Sequence, residues 1–149
     1  MSLIPEIDNE KTKRNAAEVL GIYRRLARMA NEEFVPKVTA SYSFELKGFT
    51  GTVNNAVENS IIRKVTAEQE LEKVVKGLNK LNSYHRQLIF MRYMQRNELT
   101  DIQIYLNLNM SERSFYREMD KALICFAEAY DNGRLLAEKW PNYDREKTD

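Results

Sequence analysis

The sequence predicts an all-α fold, a helical bundle, and three observations support this prediction. Apolar residues recur at helical spacing within 8–30, 66–81 and 111–130. Only 5 of the 149 residues are glycine and 3 are proline, so few residues interrupt these segments. Each segment also begins at a residue type that caps helix N-termini, namely Asp8, Thr66 and Ser111.

Composition argues against an enzyme or a metalloprotein. Cys125 is the single cysteine and His85 the single histidine, so an intrachain disulfide is impossible and a Cys/His metal site has too few ligands. No glycine-rich phosphate loop or nucleophile elbow occurs. We therefore expect no catalytic residues, metal or cofactor, and we expect Cys125 to be a small core residue.

The expected compartment is the cytoplasm. No apolar run approaches the roughly 20 residues that span a membrane, and the first ten residues lack the apolar core of a signal peptide. The net charge is only +1, so the overall balance does not favour nucleic-acid binding. Any such function has to come from the local distribution of charge.

The chain divides into four predicted parts: an N-terminal helix (1–35), a linker or loop (36–55), a helical domain (56–130) and a polar tail (131–149). The first helix starts near Asp8 or Asn9 and carries arginines and lysines opposite its apolar stripe. Within the linker, residues 37–44 alternate weakly between apolar and polar types, which predicts a short strand. Gly133 is the predicted stop of the last helix.

The helical domain begins with three predicted helices. A short one covers 56–65, a second starts at Thr66 with a Thr66–Gln69 capping box, and a third, about 84–95, starts at Asn82 or Ser83. The third is apolar nearly all round, which predicts a central, buried helix. Residues 73–97 contain no acidic residue, and this local excess of positive charge is the best electrostatic indication of a DNA-facing surface.

A helix-turn-helix is predicted over 100–130. Thr100 and Gln103 form a capping box that opens a short helix, and Ile104 lies on its apolar face. Asn109 tolerates the positive φ that a tight turn needs, and Ser111 caps the following helix. That helix has an apolar face with the spacing of a buried stripe: Phe115, Met119, Ala122, Leu123 and Phe126. Tyr105 departs from the usual pattern, which has a small residue there.

The second helix of this motif would enter the major groove. Arginine pairs bidentately with guanine, glutamate accepts from cytosine, and serine bonds a base or a phosphate. The candidate DNA-binding residues are Ser111, Glu112, Arg113, Ser114, Tyr116, Arg117, Lys121, Thr100 and Arg96. Two amphipathic helices joined by a turn also occur in many all-α proteins that never touch DNA.

The segment from Leu78 to Leu123 resembles region four of bacterial sigma factors. Over roughly 8–130 the chain resembles the ArpU family of phage transcriptional regulators, through KTKRNAAEVLGIYRRLARMA, KVTASYSFELKGFTGT, RKVTAEQELEKVVKGLNKL, SFYREMDKAL and FAEAY. The resemblance implies a regulator of late phage genes, concerned with packaging or lysis, in a Gram-positive host or its prophage. It also implies promoter binding through Ser111 to Arg117.

Two other classes of protein fit the same pattern. One is the small DNA-recognition subunit of a packaging terminase, and the other is a sigma-like adaptor that binds RNA polymerase and reads little DNA. Double-stranded DNA is the expected partner of the regulator, RNA polymerase is a further candidate, and no membrane partner is expected. A homodimer is also a candidate, because operators are often palindromic.

Overall fold

The computed structural model describes residues 5–30 and 55–139. Its six α-helices are α1 (Asn9–Gly21), α2 (Tyr23–Ala30), α3 (Asn55–Asn79), α4 (Ser83–Ile89), α5 (Asp101–Asn107) and α6 (Glu112–Ala129). A π-helical turn, Phe90–Met94, continues α4, and a 3₁₀ turn, Tyr130–Gly133, follows α6. Within the described residues the only β pairing is an isolated antiparallel bridge between Ile7 and Glu138. The predicted all-α class is confirmed.

Part of the predicted organisation is not covered by these residues. The predicted strand at 37–44, and nearly all of the linker at 36–55, lie outside them. The division of the chain into domains stays a prediction. None of the helices described is long and apolar enough to cross a membrane.

The first predicted helix is two helices in the structure. Asp8 caps α1 as predicted, accepting a hydrogen bond of 3.1 Å from the backbone N–H of Lys11. The helix is interrupted at Ile22, which the sequence pattern did not indicate. α1 packs against α6, and α2 packs along α3. The predicted apolar stripe is therefore covered by the rest of this chain, with Ala16, Leu20, Tyr23 and Ala30 buried.

Helix α3 corrects the prediction of two helices that meet at Thr66. A single helix runs from Asn55 to Asn79, and Thr66 lies exposed in its middle. A capping box is a local preference, and no glycine or proline near Thr66 stops the preceding turn. Ile61 and Val65 are half-buried, so the apolar stripe continues across the predicted boundary to Leu71. Burial on this continuous face outweighs the local start signal.

Gly77 marks a close approach between α3 and the end of α6. A Cβ atom at this position would lie 3.2 Å from the Cα of Tyr130, tighter than ordinary packing allows. The Tyr130 ring is fully buried, and its hydroxyl donates to Oε2 of Glu70 at 3.2 Å. Burial, together with the nearby Glu70 carboxylate, raises the pKa of Tyr130 to about 12. The helix propensity lost at Gly77 thus permits a tight packing contact.

Helix α4 starts where the sequence predicted. Asn82 caps it by accepting from the backbone N–H of His85 at 2.8 Å. Leu88 and Ile89 are fully buried, but Tyr84 is 42% exposed, so the expectation of a helix buried all round is only partly met.

The basic stretch 73–97 does not form one unpaired cationic surface. Arg86 is buried, and Lys73 and Lys76 lie 3.3 Å and 3.1 Å from glutamates of their own helix. Arg92 pairs with Asp101. The electrostatic indication drawn from this stretch is therefore weaker than its composition suggested.

The last helix ends earlier than predicted. α6 ends at Ala129, four residues before Gly133, and the backbone turns through positive φ at Asp131, Asn132 and Gly133. Leu135 and Ala137 are then buried. The described part of the predicted polar tail therefore packs onto the helices. Asp8 N–H donates to the Ala137 carbonyl at 2.7 Å, which ties this segment to the start of α1.

Candidate nucleic-acid interface

Helix α5 is fixed at its first turn by the predicted capping box. The Thr100 hydroxyl accepts from the Gln103 N–H at 3.2 Å, and the Gln103 side chain accepts from the Thr100 N–H at 2.9 Å. Ile104 is fully buried and anchors the opposite side of this short helix. Capping at one end and burial along one face hold a helix of only seven residues in place.

A tight turn joins α5 to α6, as the sequence predicted. Asn109 has a φ of 53°, in the left-handed region that asparagine tolerates. The Met110 N–H then donates to the Tyr105 carbonyl at 2.9 Å. The hydroxyl of Ser111 accepts from the Ser114 N–H at 3.1 Å and so begins α6.

Helix α6 has two distinct faces. The inner face is buried as predicted: Phe115, Met119, Ala122, Leu123 and Phe126. Tyr105, expected to change the packing of the two helices, is half-buried with its ring centroid 5.7 Å from that of Phe115. The outer face of the first turns presents polar and charged side chains to solvent: Ser111, Glu112, Arg113, Tyr116 and Arg117.

The structure gives each predicted site residue a definite position. Ser111 caps α6, Glu112 to Arg117 lie in its first two turns, and Lys121 lies one turn further on the same helix. Thr100 is exposed at the start of α5, and Arg96 is exposed in the loop before it. Ser114 is half-buried, so it presents less surface than its neighbours. These placements agree with a shared surface on α6, while its role in binding DNA stays a prediction.

Acidic side chains moderate the positive charge of this surface. Nε of Arg117 lies 3.7 Å from Glu118, and Nζ of Lys121 lies 3.5 Å from the same carboxylate. By contrast, Arg113 is exposed, and it has no ion-pair partner within 4 Å among residues 5–30 and 55–139. Arg113 is thus the cation most available to an external anion on the first turn of α6.

Glu118 also contacts His85 of α4, at 3.4 Å between Oε2 and Nε2. Partial burial raises the pKa of the Glu118 carboxyl, but the hydrogen bond to His85 and the charge of Lys121 outweigh it. The net effect is a pKa below the ordinary value. This contact attaches α6 to α4 beside the candidate interface.

A second polar cluster was not anticipated from the sequence. Arg92 holds Asp101 through two contacts of 3.2 Å, Nε to Oδ1 and Nη2 to Oδ2. Oδ2 also accepts from the Tyr116 hydroxyl at 3.1 Å. Asp101 thereby connects the π-helical turn, the first turn of α5 and the outer face of α6. The sequence signal was slight, since an acidic residue in a first helical turn is common for electrostatic reasons alone.

Basic residues of the predicted first helix make contacts within the bundle. Nζ of Lys13 lies 2.7 Å from Glu10 and 3.4 Å from Asp120 of α6. Nε of Arg24 donates to the Gln95 carbonyl at 2.8 Å.

The Cys125 thiol is half-buried, and burial raises its pKa, which favours the uncharged thiol.

Comparison with known proteins identifies the family. A protein of Enterococcus hirae named "Putative autolysin regulatory protein ArpU" is 32% identical over 143 residues, which cover 93% of this chain and all of that protein. The chain belongs to the ArpU family. A Streptococcus phage O1205 protein of the same name is 29% identical over 138 residues, covering 92% of this chain and 99% of that protein. The family resemblance stated from the sequence is confirmed.

A third relative comes from another genus. An uncharacterized phage-related protein of Listeria innocua is 27% identical over 124 residues, or 80% of this chain and 86% of that protein. No family model matches the sequence. No solved structure matches it significantly.

Proposed function

We propose that this ArpU-family protein is a sequence-specific DNA-binding transcriptional regulator of phage or prophage late genes, the genes for packaging or lysis. The first turns of α6 enter the major groove. The observation that carries this proposal is the two-faced start of α6, where Arg113, Tyr116 and Arg117 are exposed over a buried Phe115. Base recognition requires exposed side chains on a helix that is held in place by core packing.

The chemistry of these side chains suits the major groove. Arg113 and Arg117 lie one turn apart and can reach the same groove, where each can pair with the O6 and N7 atoms of guanine. The exposed N-terminus of α6, an 18-residue helix, favours a phosphate beside it. Thr100 and Arg96 lie at the start of α5 and in the preceding loop, where they can contact the DNA backbone.

The relatives support a regulatory function of phage origin. Two of them are named as autolysin regulatory proteins, one is encoded by a phage, and a third is described as phage-related. A protein that regulates genes by binding DNA needs no catalytic residues, metal or cofactor. We therefore propose a role without enzymatic activity, in the cytoplasm of the bacterial host.

A sigma-like adaptor is the second candidate function, and one observation favours it. Ile102 and Leu106 of α5 are 57% and 63% exposed, and they are neighbours on the helix face that points away from Ile104. Exposed apolar side chains in adjacent turns suit contact with a protein such as RNA polymerase. The regulator remains the better candidate, because the adaptor does not account for the exposed arginines of α6.

A genomic capture experiment tests the proposal. Fragmented DNA of a phage and its host is passed over the full-length protein, and the retained fragments are sequenced. The Arg113→Ala/Arg117→Ala double variant is assayed in parallel. The matched control is Lys73→Ala/Lys76→Ala, which also removes two positive charges but does so on α3. Circular dichroism verifies that each variant is folded.

The proposal expects one enriched site upstream of late genes, absent with the arginine variant and retained with the lysine variant. Enrichment at a packaging site would instead support the terminase subunit. Wild-type enrichment no greater than that of the arginine variant would support the adaptor. Equal losses in both double variants would indicate nonspecific attraction to phosphate rather than recognition by α6.

A further inference from the structure

Tyr116 has an arrangement that restricts its hydrogen bonding. It lies between Arg113 and Arg117 on the exposed start of α6, and it is 40% exposed. Its ring packs edge-on against the buried Phe115, with 5.2 Å between the ring centroids. Its hydroxyl donates to Oδ2 of Asp101 at 3.1 Å. Both the ring and the hydrogen of the hydroxyl are therefore held by neighbouring side chains.

The acceptor of this hydrogen bond is itself fixed. Arg92 contacts both oxygens of Asp101, which holds the carboxylate in one orientation. The backbone that carries Arg92 is held in turn by Arg24, whose guanidinium donates to the carbonyls of Arg92 and Gln95 at 3.2 Å and 2.8 Å. In this hydrogen bond the Tyr116 hydroxyl is the donor and the Asp101 carboxylate is the acceptor.

A hydroxyl group has one hydrogen to donate and two lone pairs that accept. Because Asp101 uses the hydrogen, the part of Tyr116 that remains available is acceptor only. A phosphate oxygen also only accepts, so it cannot bond this hydroxyl. In the major groove the donors are the N6 amino group of adenine and the N4 amino group of cytosine, whereas guanine and thymine present acceptors.

We propose that Tyr116 reads one operator position as a hydrogen-bond acceptor and prefers adenine or cytosine on the strand that it faces, with Asp101 as the positioning residue that imposes this preference. The inference rests on the proposed function and names its base specificity at one position. Asp101 acts through Tyr116 and need not touch DNA itself. The proposed contacts of Arg113 and Arg117 with guanine are at other positions of the operator.

Selection of bound sequences from a randomised DNA library tests this inference. The full-length protein is compared with Tyr116→Phe, which removes only the hydroxyl. Tyr84→Phe is the matched control, since Tyr84 is 42% exposed and its hydroxyl contacts Sδ of Met110 instead. We expect Tyr116→Phe to lose a preference of about fivefold for adenine or cytosine at one position, the effect of one neutral hydrogen bond. Tyr84→Phe keeps the wild-type motif.

An Asp101→Ala variant examines the positioning role. Without the carboxylate the Tyr116 hydroxyl can rotate and donate, so the same position accepts guanine and thymine as well. A merely structural role of Asp101 would weaken binding to all sequences alike and leave the motif unchanged. The melting temperature of each variant is measured alongside, and Tyr116→Phe decides the matter should Asp101→Ala fail to fold.

Several outcomes would overturn the inference. A motif unaltered by Tyr116→Phe would show that the hydroxyl reads no base. Loss of a preference for guanine or thymine would show that the hydroxyl donates rather than accepts. Both results leave the proposed function intact, because the wild type still selects a site. Failure of the wild type to select any sequence would remove the proposed function, and this inference with it.

Discussion

The hydroxyl oxygen of Thr12 accepts a hydrogen bond of 2.9 Å from the backbone N–H of Ala137, 125 positions later in the chain. Thr12 is fully buried in α1, and Ala137 is 8% exposed. Beside them, the Lys139 N–H donates to the Glu6 carbonyl at 2.8 Å. The C-terminal segment is thus held on α1, which itself packs on α6.

Replacing Thr12 with valine tests the importance of this contact. The change keeps the shape of the side chain but leaves the Ala137 N–H buried without its acceptor, which costs about 1–3 kcal/mol. The free energy of unfolding from urea denaturation measures the loss. Thr12→Ser, which keeps the hydroxyl, is the control. A Thr12→Val variant as stable as the wild type would show that this hydrogen bond adds no stability.

Phe115 is the main buried anchor at the start of α6, and Phe115→Ala should destabilise the protein by roughly 3–5 kcal/mol. The ring is fully buried, so its loss leaves a cavity. Leu106→Ala is the control, because this side chain is 63% exposed and its truncation should cost less than about 0.5 kcal/mol. Thermal and urea unfolding compare the two. A Phe115→Ala variant as stable as the wild type would contradict the orientation of α6.

Asn109 should be sensitive to replacement by alanine because its φ is 53°. Alanine is strained in this region, and the expected cost is about 1–2 kcal/mol. Asn107→Ala is the matched control: Asn107 is also exposed but lies in α5, where alanine is a better helix former. Asn109→Gly should keep wild-type stability. If Asn109→Ala unfolds at the wild-type urea concentration, the turn does not require a left-handed residue.

Stability in acid should depend on Glu118. Its pKa is lowered in the folded protein, so its ionised form contributes stability at neutral pH. That contribution is fully present above the ordinary glutamate pKa, and it is lost as the pH falls through the lowered folded value. Glu118→Gln should therefore be less stable than the wild type at neutral pH, and it should lose less stability than the wild type as the pH falls.

Melting temperatures from neutral pH into the acid range measure the Glu118 effect. Glu128→Gln makes the same chemical change at an exposed position of α6 and serves as the control. Parallel profiles for Glu118→Gln and the wild type would show that the ionised Glu118 carboxylate adds no stability.

Arg113→Ala and Arg117→Ala should each weaken binding to the selected DNA site by roughly 1–3 kcal/mol. If each arginine reads a base, each variant should lose the base preference at one position of the DNA site. Titration with fluorescent DNA at several salt concentrations separates this effect from a phosphate contact, which would reduce the salt slope by about one and leave the motif unchanged. Lys76→Ala, 66% exposed on α3, should alter neither affinity nor motif.

The sequence by itself determined the features that depend on one or two helical turns. The caps Asp8, Asn82, Thr100 and Ser111 act within three residues of themselves, and all four are present in the structure. The positive φ of Asn109 follows in the same way from a side chain suited to a short turn. Likewise, the buried face of α6 follows from apolar spacing alone.

The tertiary structure decided whatever depends on residues far apart in the chain. Thr66 has the signal of a helix start, but packing along α3 makes the helix continuous through it. Arg92, Asp101 and Tyr116 come from three elements, and no local pattern shows that their side chains meet. Local capping and turn preferences are properties of short segments, whereas ion pairs and buried hydrogen bonds exist only once the helices have packed.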